Sequence, residues 1–226
     1  MEEKYKPISF EQVAERAENI LFRYSIEDCP AKHIADIIEK EDIYFDEDEY
    51  LDPGIDGIYM VPDDCNLIVV KKNFSNHGRR NFTIAHELGH HFLRHCMRGQ
   101  ILECKIMEGL EFDKKDEAIY KRKEQEANVF ASNLLMPKNL VVPVVKEALK
   151  ITDRLKHGSF YLDNQPTNIN DWQKCCMSMR MHFKTSNEAI KWRLHRLGFV
   201  NGNLNLKLKD IRYWDEDVIE NYLYGS

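Results

Sequence analysis

Apolar positions near the start of the chain recur at helical spacing and then give way to short strand-like runs. Phe10, Val13, Ala14, Ala17, Ile20, Leu21 and Tyr24 follow three- and four-residue steps, the stripe of an amphipathic helix over 9–24. Ser9 and Gln12 occupy the two positions of a capping box at its start. Pro30 suits the first turn of a second helix with Ile34, Ile37 and Ile38 on its inner face. Residues 57–61 and 67–70 flank the turn Pro62-Asp63-Asp64, which predicts a small antiparallel sheet. The intervening segment 41–52 holds seven acidic residues and no basic one. Ile43, Tyr44 and Phe45 within it predict a short strand, and the rest a solvated loop.

Residues 81–95 are apolar nearly all round, with Phe82, Ala85, Gly89 and Leu93 on one face and Ile84, Leu88 and Phe92 on another. Such a helix is buried on several sides. A further helix is predicted from about 116 to 136, stopping before Pro137, and a short one over 138–149. Residues 150–168 are polar and turn-rich. Helices near 169–183 and 186–197 and a strand at 203–209 complete the chain. The predicted class is α+β. Its organisation is a first domain over 1–149, a linker or irregular excursion over 150–168, and a C-terminal helical domain over 169–226.

With 226 residues the chain is long enough to build a core without disulfides. Hydrophobic residues at 43%, with 10 Gly and 7 Pro, exclude collagen-like and low-complexity classes. No run approaches the roughly 20 apolar residues of a membrane span, and the opening MEEKYKPISFEQ lacks the apolar core of a signal peptide. Six cysteines without CxxC spacing read as reduced thiols of a cytoplasmic protein. A net charge of −6 argues against a general nucleic-acid binder. That mean conceals an asymmetry, because residues 180–212 carry eight bases against two acids. The basic stretch is expected to dock an acidic partner face, or at most to touch DNA weakly. The acidic segment at 41–52 is expected to attract a basic substrate.

The chemistry concentrates in His86-Glu87-Leu88-Gly89-His90, an H-E-x-x-H motif. His86 and His90 lie one helical turn apart on one face, where both imidazoles can reach a single metal ion. Glu87 is rotated away and can take a proton from water held there. Two histidines and a glutamate in an apolar helix are costly without partners. Gly89 costs about 1 kcal/mol relative to Ala inside a helix, which predicts a close backbone approach at that point.

The third ligand decides the class. Leu93 and Cys96 stand where a metzincin places Gly and His, so that class fails. A Cys96 thiolate is conceivable but lies beyond the second histidine on the same helix. His91 and His95 lie about 140° and 180° round from His86 and read as surface or packing histidines. On the next helix Glu124 and Asn128 share one face, with Glu126 turned about 200° from Glu124. Glu124 is the candidate carboxylate ligand, against the alternative of a solvated helix charge. Asn128 is the candidate acceptor for a ligating histidine. Tyr120, one turn before Glu124, is either a donor to a developing oxyanion or an ordinary packing tyrosine.

Arg80 to His90 (RNFTIAHELGH), Glu124 to Ala131 (EQEANVFA) and Leu134 to Pro137 (LLMP) together resemble the ImmA/IrrE family of cytosolic bacterial and phage metallopeptidases. Phe183 to Ile190 (FKTSNEAI), with Arg193-Leu194 and Leu197-Gly198, resembles the family's C-terminal helix-turn-helix-like segment. There Thr185 and Glu188 have the spacing of a capping box, and Gly198 a helix stop. The resemblance implies a zincin-like core of reduced gluzincin type. It implies one Zn2+ ion at His86, His90 and Glu124, with Glu87 as general base. The implied substrate is a protein, a DNA-binding helix-turn-helix repressor, and a sheet edge within 57–71 could pair with its extended segment.

Two readings from other classes stand beside this one. A non-catalytic zinc-containing module would hold a repressor or toxin without cutting it. Structural zinc sites usually have four protein ligands, and the sequence offers three. A DNA-binding regulator would use residues 180–212 and would show salt-dependent binding.

Overall fold

The computed structural model describes residues 5–49, 51–52, 54–62, 65–74, 76–96, 101–105 and 114–206. The chain divides into two compact units, Met1–Pro137 and Lys138–Ser226. The first opens with α1 (Phe10–Arg23), capped by Ser9 and Gln12 in the expected reciprocal box. Its buried residues Val13, Ala17, Ile20 and Leu21 form the predicted stripe. Pro30–His33 is a 3-10 turn leading into α2 (Ile34–Lys40), with Ile34, Ile37 and Ile38 buried.

A four-stranded sheet follows, in spatial order β1-β3-β2-β4. Its strands are β1 (Ile43–Asp48), β2 (Ile55–Met60), β3 (Asn66–Lys71) and β4 (Ile101–Lys105). It is mixed rather than antiparallel, because β1 runs parallel to β3 while β2 pairs antiparallel with both β3 and β4. Half of the acidic stretch is therefore strand, three residues more than the sequence predicted. Its charges are tolerated because cations sit beside them: Glu47 accepts from Arg80 Nε at 2.9 Å and Glu49 from Lys72 at 2.7 Å. Glu41, just before β1, accepts from Arg23 at 3.1 Å. These pairings leave less of the expected acidic attraction than the sequence implied. β2 and β3 lie inside the sheet, so the edges are β1 and β4 and not a strand within 57–71.

The motif helix is α3 (His77–Phe92), and it is followed by α4 (Lys114–Leu135). α3 begins earlier than its apolar pattern suggested because Asn76 caps it, accepting from Arg79 N at 2.9 Å. One side of α3 packs on β2 and β3 and the other on α4, which in turn receives α1. This sandwiching explains an apolar surface nearly all round.

The second unit contains α5 (Lys138–Ile151), β5 (Phe160–Leu162), α6 (Pro166–Phe183), α7 (Asn187–Arg196) and β6 (Val200–Gly202). Its core includes Leu149, Phe160, Trp172, Met179, Phe183 and Leu194. Within the polar 150–168 stretch, Phe160 and Leu162 are buried and β5 pairs parallel with β6. Arg154 ties that stretch to α6 through Asp171 at 2.8 Å. α7 is capped by Ser186, accepting from Ala189 N at 3.2 Å, and not by Thr185. Lys184 takes a left-handed conformation (φ 47°) after α6, which turns Thr185 into the interior. Gly198, at φ 81°, follows the C-cap as expected. The strand expected at 203–209 is displaced to Val200–Gly202, 203–206 forms none, and 207–209 lies outside the described residues. Arg180, Lys191 and Arg193 are buried, so they do not belong to the basic docking face expected at 180–212. Cys65, Cys175 and Cys176 carry thiols rather than disulfides. No helix among the described residues is long and apolar enough to cross a membrane.

Candidate metal centre

Two helices bring the candidate ligands together. His86 and His90 project from α3 and Glu124 from α4, and one ligand atom from each lies within 4.8 Å of the others. Glu124 Oε2 is 3.2 Å from His86 Nε2, and Glu124 Oε1 is 3.2 Å from His90 Nε2. The two Nε2 atoms are 3.0 Å apart. Among the described residues this is the group of three or more His, Cys, Asp and Glu side chains arranged to hold a metal ion. Cys96, His91, His95 and Glu126 fall outside it.

Gly89 sets the spacing. A Cβ there would meet Ala127 Cα at 3.1 Å and Ala127 O at 3.2 Å. The close backbone approach predicted from the sequence is thus the contact between α3 and α4, and Ala127 lies less than a turn from Glu124. A larger residue at either position would part the helices that carry the donors.

The opposite ring nitrogens are occupied elsewhere. His86 Nδ1 is 3.1 Å from Asn128 Oδ1, which can only accept, so Nδ1–H donates and the Nε2 lone pair faces Glu124. His90 Nδ1 lies 3.0 Å from His95 Nδ1. Two imidazole nitrogens and a carboxylate are a donor set suited to a zinc-type divalent ion, and three protein ligands leave a position open. The residues present therefore fit a metal.

Electrostatics follow from burial. Burial works to raise the Glu124 carboxyl, but contacts with His86 and His90 outweigh it and hold the group well below the usual range. Burial lowers His90 to about 4. Glu87 is fully buried, and burial pushes its carboxyl up to about 8, with His86 opposing the rise and Glu124 adding to it. Neither Glu87 oxygen has a hydrogen-bond partner among the described residues. The carboxylate reaches β2 where Gly57 provides room, since a Cβ at 57 would lie 2.7 Å from Glu87 Oε1 and from Thr83 Cγ2.

Residues 50–158 match the family model for peptidase M78, described as an IrrE N-terminal-like domain. That stretch of the chain is thus similar to a metallopeptidase domain. No curated protein matches it. The match covers both halves of the candidate centre, α3 and α4.

Sequence reasoning missed the groups behind the candidate donors. It placed His95 on a continuing helix, but α3 ends at Phe92 and Arg94 turns left-handed (φ 56°). His95 N then returns to His90 O at 3.0 Å, and the ring packs beside His90. Glu126, set aside on angle as a ligand, is buried against His95 Nε2 at 3.1 Å. The available signal was a further histidine and a further glutamate, one on each of the two site-bearing segments. Tyr120 is half-buried one turn before Glu124.

Proposed function

We propose that this chain is a zinc-dependent endopeptidase of the cytoplasm that cuts a protein substrate of the DNA-binding repressor class. The single observation that carries the reading is Glu87: a fully buried carboxylate without a hydrogen-bond partner among the described residues, one residue after a donor of a three-residue metal group. A structural site has no use for such a group, and the cost of burying it points to chemistry. His86, His90 and Glu124 would hold the ion. When bound, a divalent ion supplies a Lewis acid for the scissile carbonyl, acidifies water, and offsets the burial that lifts Glu87.

Glu87 takes the proton from the attacking water and returns it to the leaving amine, within reach of both because Gly57 leaves its carboxylate unobstructed. Asn128 holds the His86 ring in the tautomer that presents Nε2. β4, at the edge of the sheet, offers main-chain groups to an extended substrate segment. Support for a repressor substrate comes from the ImmA/IrrE resemblance.

The test is incubation of the purified zinc form with the repressor encoded beside its gene. Cleavage should require metal and Glu87, and Glu87→Gln should keep the ion while losing cleavage. A Glu87→Gln protein that still cuts would reject the assignment. Glu124→Ala should lose the ion by elemental analysis, and full occupancy would remove Glu124 from the ligand set.

A further inference from the structure

His90 is joined through the interior to the amino-terminal segment. Its Nδ1 meets His95 Nδ1 at 3.0 Å, and His95 Nε2 meets Glu126 Oε2 at 3.1 Å. Glu126 Oε1 accepts from Arg122 Nε at 2.9 Å and from Ile8 N at 3.2 Å. Arg122 also donates to Ile8 O. The His95 and Glu126 side chains are 0% and 1% exposed. Lys123 Nζ donates to His95 O at 2.6 Å, and the Tyr5 ring meets the His95 ring edge-on.

These partners decide where the protons sit. Glu126, ion-paired to Arg122, only accepts, so His95 Nε2–H donates to it. A neutral His95 then has its lone pair on Nδ1. His90 Nδ1–H must be the donor to it, and the lone pair of His90 is left on Nε2, toward Glu124. The polarity matches that of His86 and Asn128. His95 in the other neutral tautomer would place a lone pair against the Glu126 carboxylate and a proton against His90 Nδ1, turning His90 Nε2 into a donor. Glu126 excludes that arrangement.

We propose that His95 and Glu126 are positioning residues of the metal group, acting through His90 to fix its ring and tautomer and to raise the basicity of Nε2. The inference rests on the metal reading given under Proposed function. Groups of this kind behind a ligand typically change metal affinity by about 10–100-fold.

The test uses the full chain, stripped of metal and titrated with Zn2+ against a chromophoric chelator, with the Co2+ absorption spectrum recorded in parallel. His95→Phe keeps a ring in place and removes the acceptor, so affinity should fall by about 10–100-fold and the Co2+ bands should shift. His95→Gln offers an oxygen to His90 Nδ1–H and should restore most of the affinity. Glu126→Gln removes the charge that orients His95 and should weaken binding, and it serves as the primary variant if His95→Phe does not fold. Unchanged affinity and spectrum in the primary variant would overturn the proposal. So would a His95→Gln protein no better than His95→Phe, since packing alone would then account for the loss. Absence of metal uptake by the unmutated chain is a separate failure, one that removes the metal reading itself.

Discussion

Glu87→Gln should stabilise the metal-free protein, and the gain should grow with pH. Burial places the folded carboxyl at about 8, against 4.5 for an ordinary glutamate. Below 4.5 both folded and unfolded states hold the proton, and nothing is lost. Between the two values the unfolded chain releases it while the folded protein keeps it, so stability falls as pH rises. At about 1.4 kcal/mol per pH unit, the cost at pH 7 is about 3 kcal/mol, with a ceiling near about 5 kcal/mol above pH 8. Glutamine has nearly the same shape and no charge to lose. Its amide brings extra donors into the pocket at a cost of about 1–3 kcal/mol, which is independent of pH. The signature is therefore the slope of the difference between the two proteins rather than its value at one pH. Urea unfolding of chelator-treated protein from pH 5 to pH 8, extrapolated linearly to water, measures it. A difference that stays flat would refute the reasoning, because Glu87 would then ionise inside the protein as easily as outside. Adding the metal should shrink the slope, since a nearby cation favours the carboxylate.

Two glycine substitutions test how the backbone shapes the same region. Gly57→Ala places a methyl 2.7 Å from Glu87 Oε1, so kcat should drop with metal binding retained, as steady-state kinetics and a zinc titration would show. Gly89→Ala gains about 1 kcal/mol of helix propensity but drives a methyl against the Ala127 main chain. With overpacking costs of about 1–3 kcal/mol the net should be a modest loss of stability by urea unfolding, with weakened metal binding because the donor helices part.

The sequence exposed those parts of the structure where one periodicity acts alone. α1 carries both its stripe and its capping box in local residues, and it forms as read. His86, His90 and Glu124 were legible as candidates because helical spacing translates directly into a shared face, and Gly89 advertised a close approach by its cost. What stayed hidden depends on pairing between distant segments. Only Ile43–Phe45 of β1 read as a strand, and Asp46–Asp48 read as solvated loop, because the partners β3, Arg80 and Lys72 come later in the chain. β4 had no flanking pattern to announce it. His95 was misplaced because the rotation of 100° per residue was carried past the end of α3. Thr185 was read as a cap one residue early because a left-handed Lys184 cannot be inferred from its side chain.

The contact at Gly89 and Ala127 acts as a gauge block between the two donor helices. Its thickness is that of main chain on main chain, with little side chain left to trim. Substitutions such as Phe130→Leu in the surrounding core can loosen or tighten packing while that stop still sets the gap. The width of the coordination space is therefore decoupled from the quality of the core that encloses it. Sequence drift in that core is paid in stability before it is felt as a change in which ion the donors fit.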